Sequence, residues 1–352
     1  MKSYFKKSGI ILTLCILIFI SSCTSAPNNT TPVGAPLRDT RTDLLGTVTS
    51  LTLYDTVEQA VFDEAFSIVS DIDKRMSVNR ADSEISSINM DSDGDFVPVS
   101  TDTYELIKQA VDFSDSFGGT FDITIGAVVE LWKSGETFSV LPDESDIRNK
   151  LSLINYRDIS FDENGVRLNK PGMKLDLGSI AKGYACDKTV EYLKSRKVTS
   201  ALLDFGGNIY AHGTKPGGSS WSIGIRNPII GENDVVCSVN VQNTSVVTSG
   251  VYERYFEENG KMYHHLLDPK TGYPVDNGLL SVTIVDVSST RADALSTACF
   301  VLGLENGYAL IESLPESEAI FITENNTIFV TSGLAENVSL LDTNFQISPT
   351  AP

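Results

Sequence analysis

Histidine is scarce in this sequence of 352 residues, which contains only His212, His264 and His265. None of the three belongs to a histidine-rich cluster, and the five cysteines form no Cys-x-x-Cys pair. Because zinc sites are built from such clusters, their absence argues against a zinc protein. Catalysis by an imidazole base near neutral pH is then restricted to these three side chains.

Basic residues are also in short supply. The chain has 27 lysines and arginines against 46 aspartates and glutamates, which gives a formal net charge of −19. Residues 1–22 contain three lysines and no acid, so a mature chain without them carries −19 minus 3, that is −22. A chain with this large negative net charge repels the phosphates of nucleic acids and the headgroups of anionic lipids. We therefore expect neither nucleic acid nor anionic lipid as a main partner.

The apolar run at residues 9–20 is too short to span a bilayer comfortably. It follows three lysines, as in a signal peptide, and Ile-Ser-Ser-Cys23 comes next, which resembles the lipobox of bacterial lipoproteins. An ordinary secretory signal with an incidental cysteine is the alternative. We expect a lipoprotein signal peptide at 1–22, and a lipidated Cys23 that anchors the protein to the extracytoplasmic side of a bacterial membrane. Residues 23–42 are rich in Thr, Pro, Asn and Ser, which predicts a flexible tether.

The rest of the chain mixes strand and helix patterns without a linker-like break. Short alternating segments predict clustered strands joined by tight turns between residues 200 and 286. Apolar residues at helical spacing predict helices over 57–76, 102–117, 123–133, 179–197, 291–302 and 306–314. Clustered antiparallel strands with separate helices are typical of the α+β class. We expect one domain over 43–335, followed by a C-terminal tail at 336–352.

The segment 176–183, Asp-Leu-Gly-Ser-Ile-Ala-Lys-Gly, joins an apolar run to a predicted helix. A glycine turn followed by a helix N-terminus favours an anion, and Lys182 adds a point charge. Asp176 would repel that anion. The acid, the Ser179 hydroxyl and Lys182 therefore fit together best if a cation lies between carboxylate and phosphate. The alternative is that Asp176 only caps the helix.

A second polar group lies on the predicted helix 291–302. Asp293 and Thr297 are four residues apart and Ser296 is three from Asp293, so the three oxygens share a helix face. Hard oxygen ligands without thiolate or imidazole suit Mg²⁺. The alternative is an ordinary solvated face of an amphipathic helix.

The third group is residues 265–272, His-Leu-Leu-Asp-Pro-Lys-Thr-Gly. Asp-Pro followed by glycine is turn chemistry, and His265 ends the strand before it. There it could act as a base near neutral pH. A hairpin loop with a surface histidine is the alternative.

Taken together and in order, these segments resemble the ApbE-type flavin transferases (FAD:protein FMN transferases), many of which are bacterial lipoproteins. The resemblance extends from residue 45 to about 303, and its motifs are at 45–47, 83–89, 119–124, 176–183, 206–208, 248–254, 265–272 and 292–297. It implies a compact two-lobed α+β unit, with mostly antiparallel sheets, flanking helices and FAD in a central cleft.

The resemblance also implies roles for single residues. His265 matches the general base. The positions that match FAD contacts are Leu45, Asn79, Thr120, Phe121, Asp122, Asp176, Lys182 and Leu267. Those that match the Mg²⁺ site are Ser179, Asp293, Ser296 and Thr297. Two positions depart from the pattern: many transferases have tyrosine where this chain has Asn79, and some have a second acid where it has Ser296.

The implied activity is Mg²⁺-dependent transfer of FMN from FAD to a Thr or Ser hydroxyl of an extracytoplasmic acceptor protein, with release of AMP. A subunit of a redox pump is an example of such an acceptor. If water replaces the hydroxyl, the same site is an FAD pyrophosphatase that gives FMN and AMP. An alternative of another class is a lipoprotein carrier that holds FAD without cleaving it.

Overall fold

The computed structural model describes residues 35–91 and 94–352. Within them the helices are α1 Gln59–Met76, α2 Glu84–Met90, α3 Thr101–Ser116, α4 Gly126–Val129, α5 Glu144–Leu151, α6 Ala181–Ser195 and α7 Ser289–Glu312. The strands are β1 Leu37–Leu44, β2 Thr47–Leu53, β3 Lys133–Ser134, β4 Thr137–Phe138, β5 Ile159–Asp162, β6 Gly165–Leu168, β7 Ser200–Phe205, β8 Asn208–Gly213, β9 Trp221–Arg226, β10 Val235–Val241, β11 Thr244–Gly250, β12 Tyr255–Glu258, β13 Lys261–His264, β14 Leu279–Asp286, β15 Ser317–Thr323, β16 Thr327–Val330, β17 Val338–Leu340 and β18 Gln346–Ile347.

A nine-stranded sheet runs through the molecule in the order β1-β2-β7-β8-β11-β14-β15-β16-β18. Its pairs are antiparallel except for β16 and β18, which are parallel. A smaller antiparallel sheet contains β17, β10 and β9. Mostly antiparallel sheets with separate helices confirm the α+β class predicted from the sequence.

Both faces of the large sheet are covered, and β15 shows how the sequence achieves this. Ala319 and Phe321 face the main core, into which the long helices also pack. Ile320 and Ile322 face a second core shared with the small sheet. Because neighbouring strand residues point to opposite faces, a continuous apolar run is what a strand between two layers requires.

A third and smaller core forms the second lobe around Trp132. Its other buried members are Val128, Phe138, Ile147 and Leu267. The indole Nε1–H of Trp132 donates to the carbonyl oxygen of Gly272 at 3.0 Å. This hydrogen bond ties the segment after His265 to the segment after α4, and the cleft described below lies between this lobe and the helices α6 and α7.

Of the described residues, one helix, α7, is long and apolar enough to cross a membrane by length and composition. It packs instead on β11, β14 and α6 and serves as a core helix. The sequence predicts two helical segments here, and Gly303 does interrupt the helix with a φ of +79°. Glycine adopts that conformation without a steric penalty.

Two expected boundaries are wrong. The tether predicted for 23–42 overlaps β1, which pairs with β2 from Leu37 opposite Leu53 onward. The tail predicted for 336–352 contributes β17 and β18 to the two sheets, and Phe345 is buried. All three strands are short or largely exposed, so their sequences lack the apolar alternation that marks a half-buried strand. The predictions for the signal peptide and Cys23 lie outside the described residues.

Candidate active site

A cleft of about 360 Å³ lies between the two lobes. It brings together ten of the thirteen residues to which the sequence assigns a catalytic, FAD or metal role. These ten are Thr120, Phe121, Asp122, Asp176, Ser179, Lys182, His265, Leu267, Asp293 and Thr297. Residues as far apart in sequence as Thr120 and Thr297 therefore line one cleft, as expected for a single site.

The junction of α6 and α7 forms the wall that carries the predicted metal ligands Asp293 and Thr297. The backbone N–H of Gly183 donates to Asp293 Oδ2 at 2.9 Å, and Lys182 Nζ lies 3.3 Å from Asp293 Oδ1. The Asp293 side chain is only 5% exposed, so its charge depends on these two partners. A Cβ atom at Gly183 would collide with the carbonyl oxygen of Ser289. Glycine at this position therefore permits the close approach of the two helices.

Replacing Gly183 tests this packing. We expect Gly183→Ala to push α6 away from α7, to break the bond to Asp293 and to lower the free energy of unfolding by about 1–3 kcal/mol. Glu191→Ala, an exposed change on the same helix, is the control. Chemical denaturation of both variants provides the measurement. Wild-type stability in Gly183→Ala would contradict the role assigned to this glycine.

The donors around Asp293 fit magnesium only in part. Asp293 and Thr297 supply a carboxylate and a hydroxyl at the cleft wall, and Ser179 lies at the same cleft. In the described parts of the chain no group of three or more His, Cys, Asp or Glu could hold a metal by itself. Mg²⁺ commonly binds through one or two carboxylates completed by water and substrate phosphates. The residues therefore fit Mg²⁺ together with a bound phosphate ligand.

Asp176 orders the turn that precedes α6. Its Oδ1 accepts the backbone N–H of Gly178 at 2.8 Å, and its Oδ2 lies 3.7 Å from Lys133 Nζ. The helix begins at Ala181 rather than at Ser179. Its N-cap residue is Ile180, and no side chain makes a capping hydrogen bond there. The capping role considered for Asp176 is therefore wrong, and its carboxylate instead shapes a turn that lines the cleft.

Both carboxylate oxygens of Asp122 already accept hydrogen bonds from the protein. Its Oδ1 accepts both the N–H and the hydroxyl of Thr124, at 2.8 and 2.6 Å, and its Oδ2 accepts the N–H of Tyr156 at 3.0 Å. Burial raises the pKa of this carboxyl, and the three donors oppose that effect. Asp122 thus holds the wall segment that carries Thr120 and Phe121.

Of the three histidines, only His265 lines the cleft. His212 and His264 are buried and bind backbone carbonyl oxygens through Nε2. The Nδ1 of His265 lies 3.3 Å from the carbonyl oxygen of Arg254, which also accepts the His265 backbone N–H at 3.0 Å. If Nδ1 carries the proton, it donates to that oxygen and leaves Nε2 as the acceptor.

The pKa of His265 is lowered to about 3. Burial is the first cause, and the neighbouring Arg254, His264 and Lys182 lower it further. A neutral imidazole at physiological pH can accept a proton, which is the state that a general base requires.

Three predicted residues are not in the cleft wall. Leu45 lies in the β1–β2 turn with a φ of +55°, and its neighbours Gly46 and Thr47 line the cleft instead. Asn79 is exposed and lines an adjoining cavity of about 480 Å³. Ser296 is fully buried, and its hydroxyl lies 2.8 Å from Ser249 Oγ and donates to the Asp293 carbonyl oxygen at 2.9 Å. Its hydroxyl is thus bonded inside the protein and does not line the cleft.

The sequence assigns no individual role to several other residues of the cleft wall, although six of them lie in the motifs at 45–47, 206–208 and 248–254. They are Gly46, Thr47, Lys133, Glu136, Gly206, Ser249, Glu253 and Arg254. The glycines at 206 and 207 form the turn between β7 and β8, as their residue type suggests, whereas residues 248–250 belong to β11, so a turn predicted there is wrong. A charged residue such as Arg254 carries no local sequence signal, because only the fold places it beside His265.

Comparison with known proteins agrees with this geometry. The model of the ApbE family matches residues 45–321. This chain belongs to the ApbE family. An FAD:protein FMN transferase of Klebsiella pneumoniae (strain 342) is 37% identical over 306 residues, which cover 86% of this chain and 95% of that protein. An FAD:protein FMN transferase of Treponema pallidum (strain Nichols) is also 37% identical, over 81% of this chain and 83% of that protein.

The ApbE fold is confirmed by solved structures. The ApbE protein of Thermotoga maritima superposes with a TM-score of 0.77 and 32% identity, over 85% of this chain and 97% of that one. The fold and the family expected from the ordered motifs are therefore both correct.

Proposed function

We propose that this ApbE protein is an FAD:protein FMN transferase that uses Mg²⁺ and a Thr or Ser hydroxyl of an extracytoplasmic acceptor protein. One observation carries the proposal: His265, Lys182 and the Asp293–Thr297 pair converge on a single cleft. A base, a phosphate-binding cation and a metal site are the groups that phosphoryl transfer requires. The names of the relatives support the same activity.

The reaction balances without any further reactant. The acceptor oxygen attacks the phosphorus of the FMN half of FAD, and a new P–O bond joins FMN to the acceptor. The bond from that phosphorus to the bridging oxygen of the pyrophosphate breaks, and AMP leaves with the bridging oxygen. His265 takes the proton of the hydroxyl at its free nitrogen, and that proton passes to the product or to solvent.

The remaining roles follow from position. Asp293 and Thr297, with Ser179 nearby, are the residues that would hold Mg²⁺, which when bound neutralises phosphate charge and improves AMP as a leaving group. Lys182 lies at the start of α6, where it can release Asp293 and pair with a phosphate. Phe121 and Leu267 are apolar residues of the cleft wall, and because both are nearly fully buried they shape this wall rather than expose a wide apolar surface to the flavin or the adenine.

The direct test is AMP release from FAD and Mg²⁺, followed by chromatography. When an acceptor domain with its Thr is present, the amount of AMP released should rise with the amount of acceptor modified. The AMP that depends on transfer should no longer form when that Thr is replaced by Ala. AMP at the same rate with both acceptors would indicate hydrolysis only. FAD that stays bound and uncleaved would indicate a carrier.

Asn79 favours hydrolysis as a second activity. It is exposed on the cavity that adjoins the cleft, where an amide can hold water but cannot stack on a flavin. We expect AMP release even without acceptor. Asn79→Tyr should lower that release roughly ten- to a hundredfold, a barrier change of about 1–3 kcal/mol, and tighten bound FAD. No AMP without acceptor, together with unchanged FAD affinity in the variant, would leave a strict transferase.

Anchoring is a separate prediction that depends on the lipobox-like segment before Cys23. We propose that acylated Cys23 holds the domain at the extracytoplasmic face of the membrane, where several acyl chains give stable attachment. Cys23→Ala should leave the protein unprocessed or release it from membranes. Cys15→Ala, in the hydrophobic run of the signal, is the matched control and should behave as wild type. Identical fractionation and migration of Cys23→Ala and wild type would refute the lipid anchor.

A further inference from the structure

Arg254 differs from the other cations of the cleft in having no partner. Lys182 pairs with Asp293, and Lys133 lies 3.7 Å from Asp176. Across residues 35–91 and 94–352, Arg254 takes part in no ion pair, and its side chain in no hydrogen bond. An exposed guanidinium at the wall of a cleft is therefore free to bind an incoming anion.

Three of the acids in the cleft wall already have other partners. Asp122 accepts three protein hydrogen bonds, and Asp176 and Asp293 each have a lysine and a backbone N–H as partners. Two further acids of the wall, Glu136 and Glu253, form no ion pair among the described residues either, and neither lies within ion-pair distance of Arg254, so its guanidinium has no internal partner. A negatively charged ligand would supply the partner that the Arg254 guanidinium lacks.

The position of Arg254 fits a contact near the reacting phosphorus. Its carbonyl oxygen receives both the backbone N–H and Nδ1 of His265, so the two residues are held side by side at the base of the β12–β13 hairpin. Its guanidinium lies against the β1–β2 turn, since a Cβ atom at Gly46 would be 3.9 Å from Nη2. Both Arg254 and Lys182 act electrostatically on the His265 imidazole, which therefore has a cation from each side of the cleft nearby.

We propose that Arg254 binds the pyrophosphate of FAD from the hairpin side of the cleft, while Lys182 binds it from the side of α6. A planar guanidinium can give two parallel hydrogen bonds to phosphate oxygens. The same residue, through its carbonyl oxygen, orients the base. This inference rests on the proposed function for its ligand, but not on transfer to an acceptor.

The experiment measures binding rather than turnover. FAD is titrated into the full-length protein and followed by flavin fluorescence, and ADP, which carries the same pyrophosphate, is used to displace it. Riboflavin, which has no phosphate, is titrated separately. The variants are Arg254→Met, Arg254→Lys and, as matched control, Arg38→Met, an exposed arginine on β1.

Arg254→Met should weaken FAD and ADP by the same factor, roughly ten- to a hundredfold, as expected for lost hydrogen bonds to a charged group. Any riboflavin binding should stay within about twofold of wild type, and Arg254→Lys should recover part of the loss. Arg38→Met should match wild type.

Three results would overturn the inference. One is wild-type affinity of Arg254→Met for FAD and ADP. This includes a variant in which only the KM for the acceptor rises, because the guanidinium would then contact the acceptor rather than the pyrophosphate. Another is a loss of FAD binding with no change for ADP, which would place the guanidinium on the flavin. The third is an equal loss for riboflavin, which would indicate damage to the whole cleft. If the protein binds FAD through Arg254 but transfers no FMN, the proposed function fails and this inference stands.

Discussion

Asp293→Asn should lower Mg²⁺-dependent FAD cleavage roughly a hundred- to a thousandfold. The change removes the one carboxylate that the α7 face offers to a cation, and charge neutralisation by a bound metal supplies several kcal/mol to such reactions. Asparagine is a better replacement than alanine. The Asp293 carboxylate accepts the N–H of Gly183, and alanine would leave that N–H unpaired at a cost of about 1–3 kcal/mol in stability.

Ser296→Ala is the matched control on the same helix. Its hydroxyl is bonded to Ser249 and to the Asp293 carbonyl oxygen and does not itself line the cleft, so we expect activity within about threefold of wild type. Turnover of FAD is measured with Mg²⁺ and with EDTA. Full activity of Asp293→Asn, or full activity in EDTA, would show that the metal is not held where we place it.

His265→Gln should reduce transfer by about 10²- to 10⁴-fold, the usual contribution of a general base. FAD binding should change little, because the imidazole contributes a proton acceptor rather than a charge. If transfer persists at the wild-type rate while FAD binds normally, another group or water removes the proton.

The lowered pKa of His265 also predicts the pH dependence of the wild-type enzyme. In the free protein the base is neutral well below pH 6.5, so the acid limb of kcat/KM should lie below that value. Bound phosphates attract a proton to the imidazole, so the acid limb of kcat should lie higher than that of kcat/KM.

Stability has its own pH dependence with a defined sign. The unfolded chain binds a proton at this histidine below about pH 6.5, whereas the folded chain does so only near pH 3. The free energy of unfolding should therefore fall as the pH is lowered from 6.5 towards 3, and less steeply in His265→Gln. His264, whose pKa is also lowered by burial, keeps part of the slope in both proteins. Parallel slopes would contradict the lowered pKa.

Much of the site follows from local sequence order, and α7 shows both the strength and the limit of that reasoning. Helical spacing correctly puts Asp293 and Thr297 at one cleft wall. It also groups Ser296 with them, but adjacent helix residues are about 100° apart around the axis, and that rotation turns Ser296 into the core. Residues that helical spacing places on one side of a helix therefore need not all line the same cleft.

Other features depend on contacts that no local pattern encodes. Gly183 is needed because a particular carbonyl of α7 lies against it. Arg254 matters because the hairpin β12–β13 places it beside His265. The strand β1 cannot be recognised in the sequence because it is an edge strand with mostly exposed side chains. The strand β15 can be recognised because both of its faces are buried and its residues are therefore apolar.

The most direct test of the central claim is the intact mass of a Thr-bearing acceptor domain after incubation with the protein, FAD and Mg²⁺. We expect the mass of one added FMN less one water, fixed to the Thr by a phosphoester, with one AMP released for each modified acceptor. The adduct should be absent with Asp293→Asn or with the acceptor Thr replaced by Ala. An unmodified acceptor, under conditions in which the protein binds FAD and the acceptor is folded, would contradict the account.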